Sequence, residues 1–309
     1  MRKFAIYILQ VTVLVLVVFG VLFFAVFRIN QRQELISPVA KEEKVLSLNQ
    51  WFPREVLGVF TGMPNITAKS ALFFNTKNGD ILYSKNAKEK LPIASLTKVM
   101  TVLIALEHKN LDDKYLVSRQ ATEMEPDEMI LLPGETLTLR ELLYGIFLVS
   151  ANDAAEVLAE GTVISRDEFL KLMNEKAIQL GMKDTKFVNP TGLDEDSGSS
   201  YSSAFDLAIL TRHIIKNYPE VIEISKTEHI ILPRTDTHQD YDMYSGINLL
   251  TTYPGILGFK TGYTPEAGYT LITLARKDGH EVIGVLLGSE KRRDEAKELL
   301  DYSFNQLGT

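Results

Sequence analysis

The stretch "GYTLITLARKDGHEVIGVLLGS", residues 268–289, decides the fold. It is two runs of Thr, Leu, Ile and Val divided by Asp278-Gly279. β-Branched and aliphatic runs on either side of an Asp-Gly pair read as a hairpin. The same device stands far upstream, where "SALFFNT" (70–76) and "DILYSK" (80–85) flank Asn78-Gly79. Between the two hairpins the pattern is helical. An apolar helix runs from about Ser95 to His108. Thr138 with Glu141 forms a capping box for a helix through about Val149, and Ser165 with Glu168 repeats the device, with Gly181 as the stop. "EKRRDEAKELLDYSF" (290–304) is a terminal helix. Strands at both ends with helices between predict an α+β fold: one antiparallel sheet formed by both ends of the domain, flanked by helices, with a helical insert.

The totals narrow the class. The chain has 309 residues, 45% hydrophobic, and a formal net charge of −7. That acidity argues against a nucleic-acid binder, which needs a basic face. The absence of cysteine removes disulfides, thiolate catalysis and cysteine-ligated metals. Arg2 and Lys3 precede an apolar run from Phe4 to Phe27, interrupted only by Gln10 and Thr12 as clearly polar residues. The run is longer than the roughly 7–15 residues of a signal-peptide core and long enough to span a bilayer, which takes about 20. Residues 1–27 are therefore read as a signal-anchor transmembrane helix, with a cleaved signal peptide as the alternative. Either places the rest of the chain outside the cytoplasm. Residues 28–66 read as an extracytoplasmic tether and 67–309 as the functional domain. Whether Trp51, Phe52 and Val56 dock on that domain is left open by the sequence.

Ser95 and Lys98 stand three residues apart at the start of the apolar helix, hence on one face. A serine hydroxyl needs a neighbouring base to become a nucleophile. A lysine serves as that base when burial and a helix N-terminus lower its pKa. Ser-x-x-Lys arises by chance about once in a chain of this length, so a surface pair explains it equally well when taken alone. Ser150 and Asn152 break an apolar helical pattern in "LVSANDAAEVLAE", as a loop pointing into a cleft does, or as a helix cap does. Lys260-Thr261-Gly262 reads either as a strand that a ligand approaches closely or as an ordinary turn.

Together and in this order, Ser-x-x-Lys, Ser-x-Asn and Lys-Thr-Gly match the signature set of penicillin-binding proteins and related β-lactamases. The chain resembles the low-molecular-mass penicillin-binding proteins, the serine D-alanyl-D-alanine carboxypeptidases. The likeness extends over about residues 64–305, through "NTKNGDILYSKNAKEKLPIASLTKVMT", "LLPGETLTLRELLYGIFLVSANDAAEVLAE", "FLKLMNEKAIQLGMKDTKFVNPTGL", "YSSAFDLAIL" and "GFKTGYTPEAGYTLITLARKDG". The resemblance implies a β-lactamase/transpeptidase-like fold and an acyl-enzyme on Ser95, with Lys98 as base and Ser150 as proton relay. It implies that Asn152 binds the substrate backbone and that Lys260 and Thr261 hold the terminal carboxylate. The oxyanion hole would be the N–H groups of Ser95 and of Tyr263, just past Gly262. Arg292, or else Arg293, would be the family's arginine near that carboxylate.

The implied substrate is a peptidoglycan stem peptide ending in D-Ala-D-Ala. β-Lactams are the implied covalent inhibitors, and the membrane is a partner through the N-terminal helix. No metal or organic cofactor is implied. The five histidines are scattered and no H-E-x-x-H helix occurs. Two departures are visible. The chain ends soon after the last helix, without the family's β-rich C-terminal domain and C-terminal anchor, and the N-terminal span is expected to replace that anchor. "LDEDSGSSYSS" (193–203) differs from the family's more usual histidine-containing version. A D,D-endopeptidase with the same residues and a non-catalytic β-lactam-binding sensor are the alternatives. A class A β-lactamase is disfavoured, since no Glu-x-x-Leu-Asn follows Ser150.

Overall fold

Asp278 and Gly279 both take left-handed backbone angles, φ 47° and 79°, the geometry that turns two strands without splaying them. The computed structural model that shows this describes Pro53, residues 62–195 and residues 198–308. The expected anchor over 1–27, nearly all of the tether, and Trp51, Phe52 and Val56 lie outside the described residues. Among the described residues no helix is long and apolar enough to cross a membrane.

In chain order the main elements are strands β1 (Ser70–Asn75) and β2 (Ile81–Lys85), then helices α1 (Lys98–His108), α2 (Leu139–Tyr144), α3 (Asn152–Gly161), α4 (Arg166–Gln179) and α5 (Ala204–Asn217). Strands β3 (Ile256–Thr264), β4 (Gly268–Lys277) and β5 (His280–Ser289) follow, and helix α6 (Arg292–Gln306) closes the domain. The five strands form one antiparallel sheet in the order β2-β1-β5-β4-β3. Both ends of the domain thus meet in its middle, as the two hairpins predict, and the helices from α1 to α5 are the insert.

Both faces of the sheet are covered, which explains why its strands read as unbroken apolar runs. Successive side chains point to opposite faces. Leu72 and Phe74 join the helical core with Ile283 and Val285, whereas Ala71 and Phe73 join Ala296, Leu299, Leu300 and Phe304 of α6. The central helix α1 is buried without interruption from Lys98 to Leu106. A helix apolar all round has to lie inside, because no face of it gains from water.

Three local readings are refined by the structure. The apolar helix begins as a 3-10 turn over Ala94–Thr97 and becomes α-helical only at Lys98. The Thr138–Glu141 capping box is complete, but the last turn of that helix widens to a π-turn over Gly145–Val149. At the first hairpin only Gly79 is left-handed, φ 80°, and the connection runs from Thr76 to Asp80.

Gly284 of β5 pairs with Phe73 of β1. A Cβ on Gly284 would stand 2.2 Å from the Phe73 ring, so the fully buried ring needs a bare backbone opposite it. Gly284→Ala is expected to cost about 1–3 kcal/mol through overpacking, read as a lower urea midpoint, with Phe73→Leu in the same chain restoring part of the loss. An unchanged midpoint in the single variant would show that the ring has room to move.

Candidate active site

Ser95 sits in the 3-10 turn that leads into α1, directly after Ala94, whose φ of 49° is left-handed. A non-glycine residue in that region carries strain and persists only where its surroundings hold it. Two contacts do so. Gly192, φ 84°, lies so close that a Cβ on it would stand 2.0 Å from the Ala94 carbonyl oxygen. From the other side β3 passes over the turn: a Cβ on Gly262 would come within 2.9 Å of the Ser95 backbone nitrogen. Gly262 is glycine because the sheet edge and the serine turn are nearly in backbone contact.

One turn on, the Lys98 side chain is fully buried and its Nζ makes three hydrogen bonds. It donates to Asn152 Oδ1 at 2.7 Å and to the Thr191 carbonyl at 2.7 Å, and it lies 2.9 Å from Ser95 Oγ. Two of these partners are acceptors only. They take two of the nitrogen's hydrogens, so the remaining position faces the serine hydroxyl. In the charged lysine that position holds a third N–H, and in the neutral amine it holds the lone pair. Burial first, then the charge of Lys260, holds Lys98 well below its ordinary lysine value, while Asp127 and Asp153 act the other way.

The second half of the site is built by the α2–α3 connection and β3. The π-turn delivers Ser150 with a left-handed φ of 63°, a local irregularity of the kind found at functional positions. Lys260, 1% exposed, reaches across from β3 and donates to Ser150 Oγ at 2.8 Å and to the Thr261 carbonyl at 2.8 Å. Burial pushes Lys260 down to about 7, Arg292 adding to the effect and Asp127 opposing it. Thr261 is half-buried on the strand and Tyr263 is exposed at its end.

The structure therefore brings Ser95, Lys98, Ser150, Asn152, Lys260 and Gly262 into one cleft from three separate parts of the chain. Asn152 is more committed than its expected contact with substrate implies. It is 1% exposed, its Oδ1 accepts from Lys98, and its Nδ2 donates to the Pro126 carbonyl, leaving one N–H. Of the two candidate arginines, Arg293 is exposed beside Asp294 at 3.2 Å, whereas Arg292 reaches the site. Arg292 does so indirectly. Its Nη1 donates to the Gly262 carbonyl at 2.7 Å, and its guanidinium lies 5.0 Å from the centre of the Tyr269 ring, bracing β3 from behind.

Sequence reasoning passed over the Thr191 carbonyl and the turn that presents it. Asn189 is buried and its Oδ1 accepts from Gly192 N at 2.7 Å and from Thr191 Oγ1 at 3.2 Å, an Asx-type turn that aims the Thr191 carbonyl at Lys98. The signal was present as Asn189-Pro190-Thr191-Gly192, a run of turn formers, but nothing in it names the lysine as its target.

Because Lys260 loses its proton at about 7 in the fold and at 10.5 in its ordinary state, the unfolded chain binds more protons between those values. Stability from this group is therefore fully present above the upper value and is lost as pH falls through the lower one. Thermal stability of the wild type relative to Lys260→Met is expected to rise with pH across that window. A difference that stays flat would show that Lys260 remains charged.

A family model described as D-alanyl-D-alanine carboxypeptidase matches residues 59–291. The D-alanyl-D-alanine carboxypeptidase DacF of Bacillus subtilis is 38% identical over 250 residues, 78% of this chain and 63% of that protein. The chain thus spans somewhat less than two thirds of that relative's length. A crystal structure of a D-alanyl-D-alanine carboxypeptidase from Mycobacterium tuberculosis superposes with a TM-score of 0.73 at 29% identity, over 82% of this chain and 96% of that one. An ampicillin-bound penicillin-binding protein from Listeria monocytogenes gives 0.69 at 34% identity, over 78% of this chain and 100% of that one. Fold, motif order and these likenesses agree: the chain belongs to the D-alanyl-D-alanine carboxypeptidase family.

Proposed function

We propose that the chain is a serine D-alanyl-D-alanine carboxypeptidase that removes the terminal D-alanine from peptidoglycan stem peptides through an acyl-enzyme on Ser95. The observation that carries this is the seat of Lys98. Two of its positions are taken by the Asn152 and Thr191 oxygens and the third faces Ser95 Oγ. In the neutral form that burial favours, its lone pair is directed at the serine hydroxyl, which is the arrangement a general base needs.

In the first step Lys98 takes the hydroxyl proton and Ser95 Oγ attacks the carbonyl of the D-Ala-D-Ala bond. Negative charge grows on the carbonyl oxygen, which the N–H groups of Ser95 and Tyr263 would receive, one such donor being worth about 10²–10³ in rate. The C–N bond breaks. Ser150 hands a proton to the leaving nitrogen, balancing the one taken by Lys98, and its own Oγ is supplied by Lys260. Lys260 and Thr261 would hold the free carboxylate, with Arg292 keeping the Gly262 backbone in place. Between the steps Lys98 gives its proton to solvent and Lys260 regains one from solvent. Water then attacks the ester carbonyl, its proton passes to neutral Lys98, and the Ser95–acyl bond breaks as Lys98 returns that proton to Oγ. No step calls for a metal or an organic cofactor.

The assignment extends to the rest of the chain. Residues 1–27 would anchor the protein in the membrane, 28–66 would tether it, and 67–309 would be the peptidase domain facing the cell wall. β-Lactams, which carry a carboxylate beside a reactive amide, would acylate Ser95.

D-Alanine release from a blocked peptide ending in D-Ala-D-Ala is expected from the native protein and is expected to vanish in Ser95→Ala, together with covalent penicillin labelling. Label retained by that variant would remove Ser95 as nucleophile. Penicillin labelling without D-alanine release would move the assignment to a D,D-endopeptidase or a β-lactam sensor. The pH dependence carries a second expectation. Acylation needs neutral Lys98, so its rate rises with pH through the titration of that lysine. Lys260 lowers Lys98, so Lys260→Met should move this acid limb to higher pH. A limb that stays in place or moves the other way would show that the base is not under Lys260.

A further inference from the structure

Asp153 follows Asn152 at the start of α3 and is fully buried. Its carboxylate serves backbone. Oδ1 accepts from Met129 N at 3.0 Å and from Ala154 N at 2.8 Å, and Oδ2 accepts from Leu131 N at 3.0 Å. A buried carboxylate is costly unless its oxygens are satisfied. Here they are satisfied by the first turn of a helix, whose N-terminus favours negative charge, and by a loop more than twenty residues upstream.

That loop reaches the catalytic machinery. The Pro126 carbonyl accepts from Asn152 Nδ2, and the Asp127 carbonyl accepts from Asn152 N at 2.7 Å. The Pro126 contact fixes which way the Asn152 amide points. Reversed, it would set oxygen against the Pro126 oxygen and an NH2 group against Lys98. The loop is not self-supporting. Asp127 and Ile130 are left-handed at φ 59° and 61°, a costly conformation for a β-branched residue such as isoleucine, and Ile130 is 67% exposed. Asp153 grips the residues on both sides of Ile130.

We propose that Asp153 is a positioning residue for acylation: its carboxylate clamps the 126–131 loop, so that the Asp127 carbonyl holds the Asn152 backbone and the Pro126 carbonyl locks the Asn152 side-chain amide with its oxygen on Lys98. The chain of contact is Asp153, loop, Asn152, Lys98 Nζ, Ser95 Oγ. The inference rests on the acyl-transfer reading above and assigns Asp153 no contact with substrate. Its charge acts on the same lysine. The charged groups that bear on Lys98 are Lys260, Asp127 and Asp153, and Asp153 favours the charged form.

The test is the second-order rate of acylation by a fluorescent penicillin, followed against pH, for the full chain and for Asp153→Asn. Asparagine keeps the size but turns an NH2 group toward one of the loop's N–H donors. The plateau is expected to fall about 10²-fold, the loss typical of a misplaced catalytic group, while the acid limb moves to lower pH because a carboxylate that favours protonated Lys98 has gone. In a double variant with Asn152→Ala the rate should fall no further than in Asn152→Ala alone, since both act through one amide. An unchanged rate, full additivity, or a rate loss that only tracks the unfolded fraction with an unmoved limb would overturn the proposal. Should Asp153→Asn not fold, hydrogen exchange of the wild type decides. Met129 and Leu131 amides as protected as those of α3 support the clamp, and exchange at open-loop rates overturns it. Wild-type protein that takes no penicillin label overturns this inference and the acyl-transfer reading together; labelled wild type with an unaffected variant overturns the inference alone.

Discussion

The structure turns on the burial of one amine. Lys98 lies at the head of the central helix with no exposure to water, and a buried ammonium without partners is among the most costly arrangements in a protein. Everything around it answers that cost. Asn152 comes from the start of α3, Thr191 from an Asx turn, and Ser95 from the turn just before the helix. Two distant segments must therefore meet the first turn of α1 at one nitrogen, and the packing of α1 against the other insert helices and the sheet is what lets them do so.

The same requirement places strain at the site. Ala94 and Ser150 are both left-handed without being glycine. The true glycines do a different job. Gly192 and Gly262 let backbone come into contact with the serine turn, and the contact distances leave no room for a methyl group at either. Strain and bare backbone thus occur together around Ser95.

Lys260 extends the logic to the sheet. It lies on the edge strand, buried, with Ser150 and a carbonyl as its partners. Burial and the nearby charge of Lys260 lower the hold of Lys98 on its proton, which suits Lys98 to act as a base. Lys260, when protonated, also supplies a positive potential that would favour an anionic peptide end. Arg292 adds to that field while its bond to the Gly262 carbonyl holds the strand backbone at that point. Electrostatics and backbone geometry come from the same side chains.

Much of this was legible in the order of residues. Asp278-Gly279 and Asn78-Gly79 mark hairpins because their backbone preferences are local, and Thr138 with Glu141 marks a helix start because both partners lie within one turn. Ser95, Lys98, Ser150, Asn152 and Lys260 could be named as candidates from short motifs of the right chemistry. What the order of residues did not determine is who touches whom. The Thr191 carbonyl on Lys98, the Pro126 carbonyl on Asn152 and the Arg292 bond behind Gly262 are contacts between a side chain and a distant backbone group, and every residue has such a group, so no residue type announces them. Spacing to Leu299-Leu300 favours Arg292 over Arg293, but only the direction in which the last helix sends each one puts Arg292 on the Gly262 carbonyl and leaves Arg293 exposed beside Asp294. Local preference and motif chemistry are written along the chain. The acceptors that satisfy a buried amine exist only once the chain has folded back on itself, because burial is a property of the whole packing and not of the segment that carries the charge.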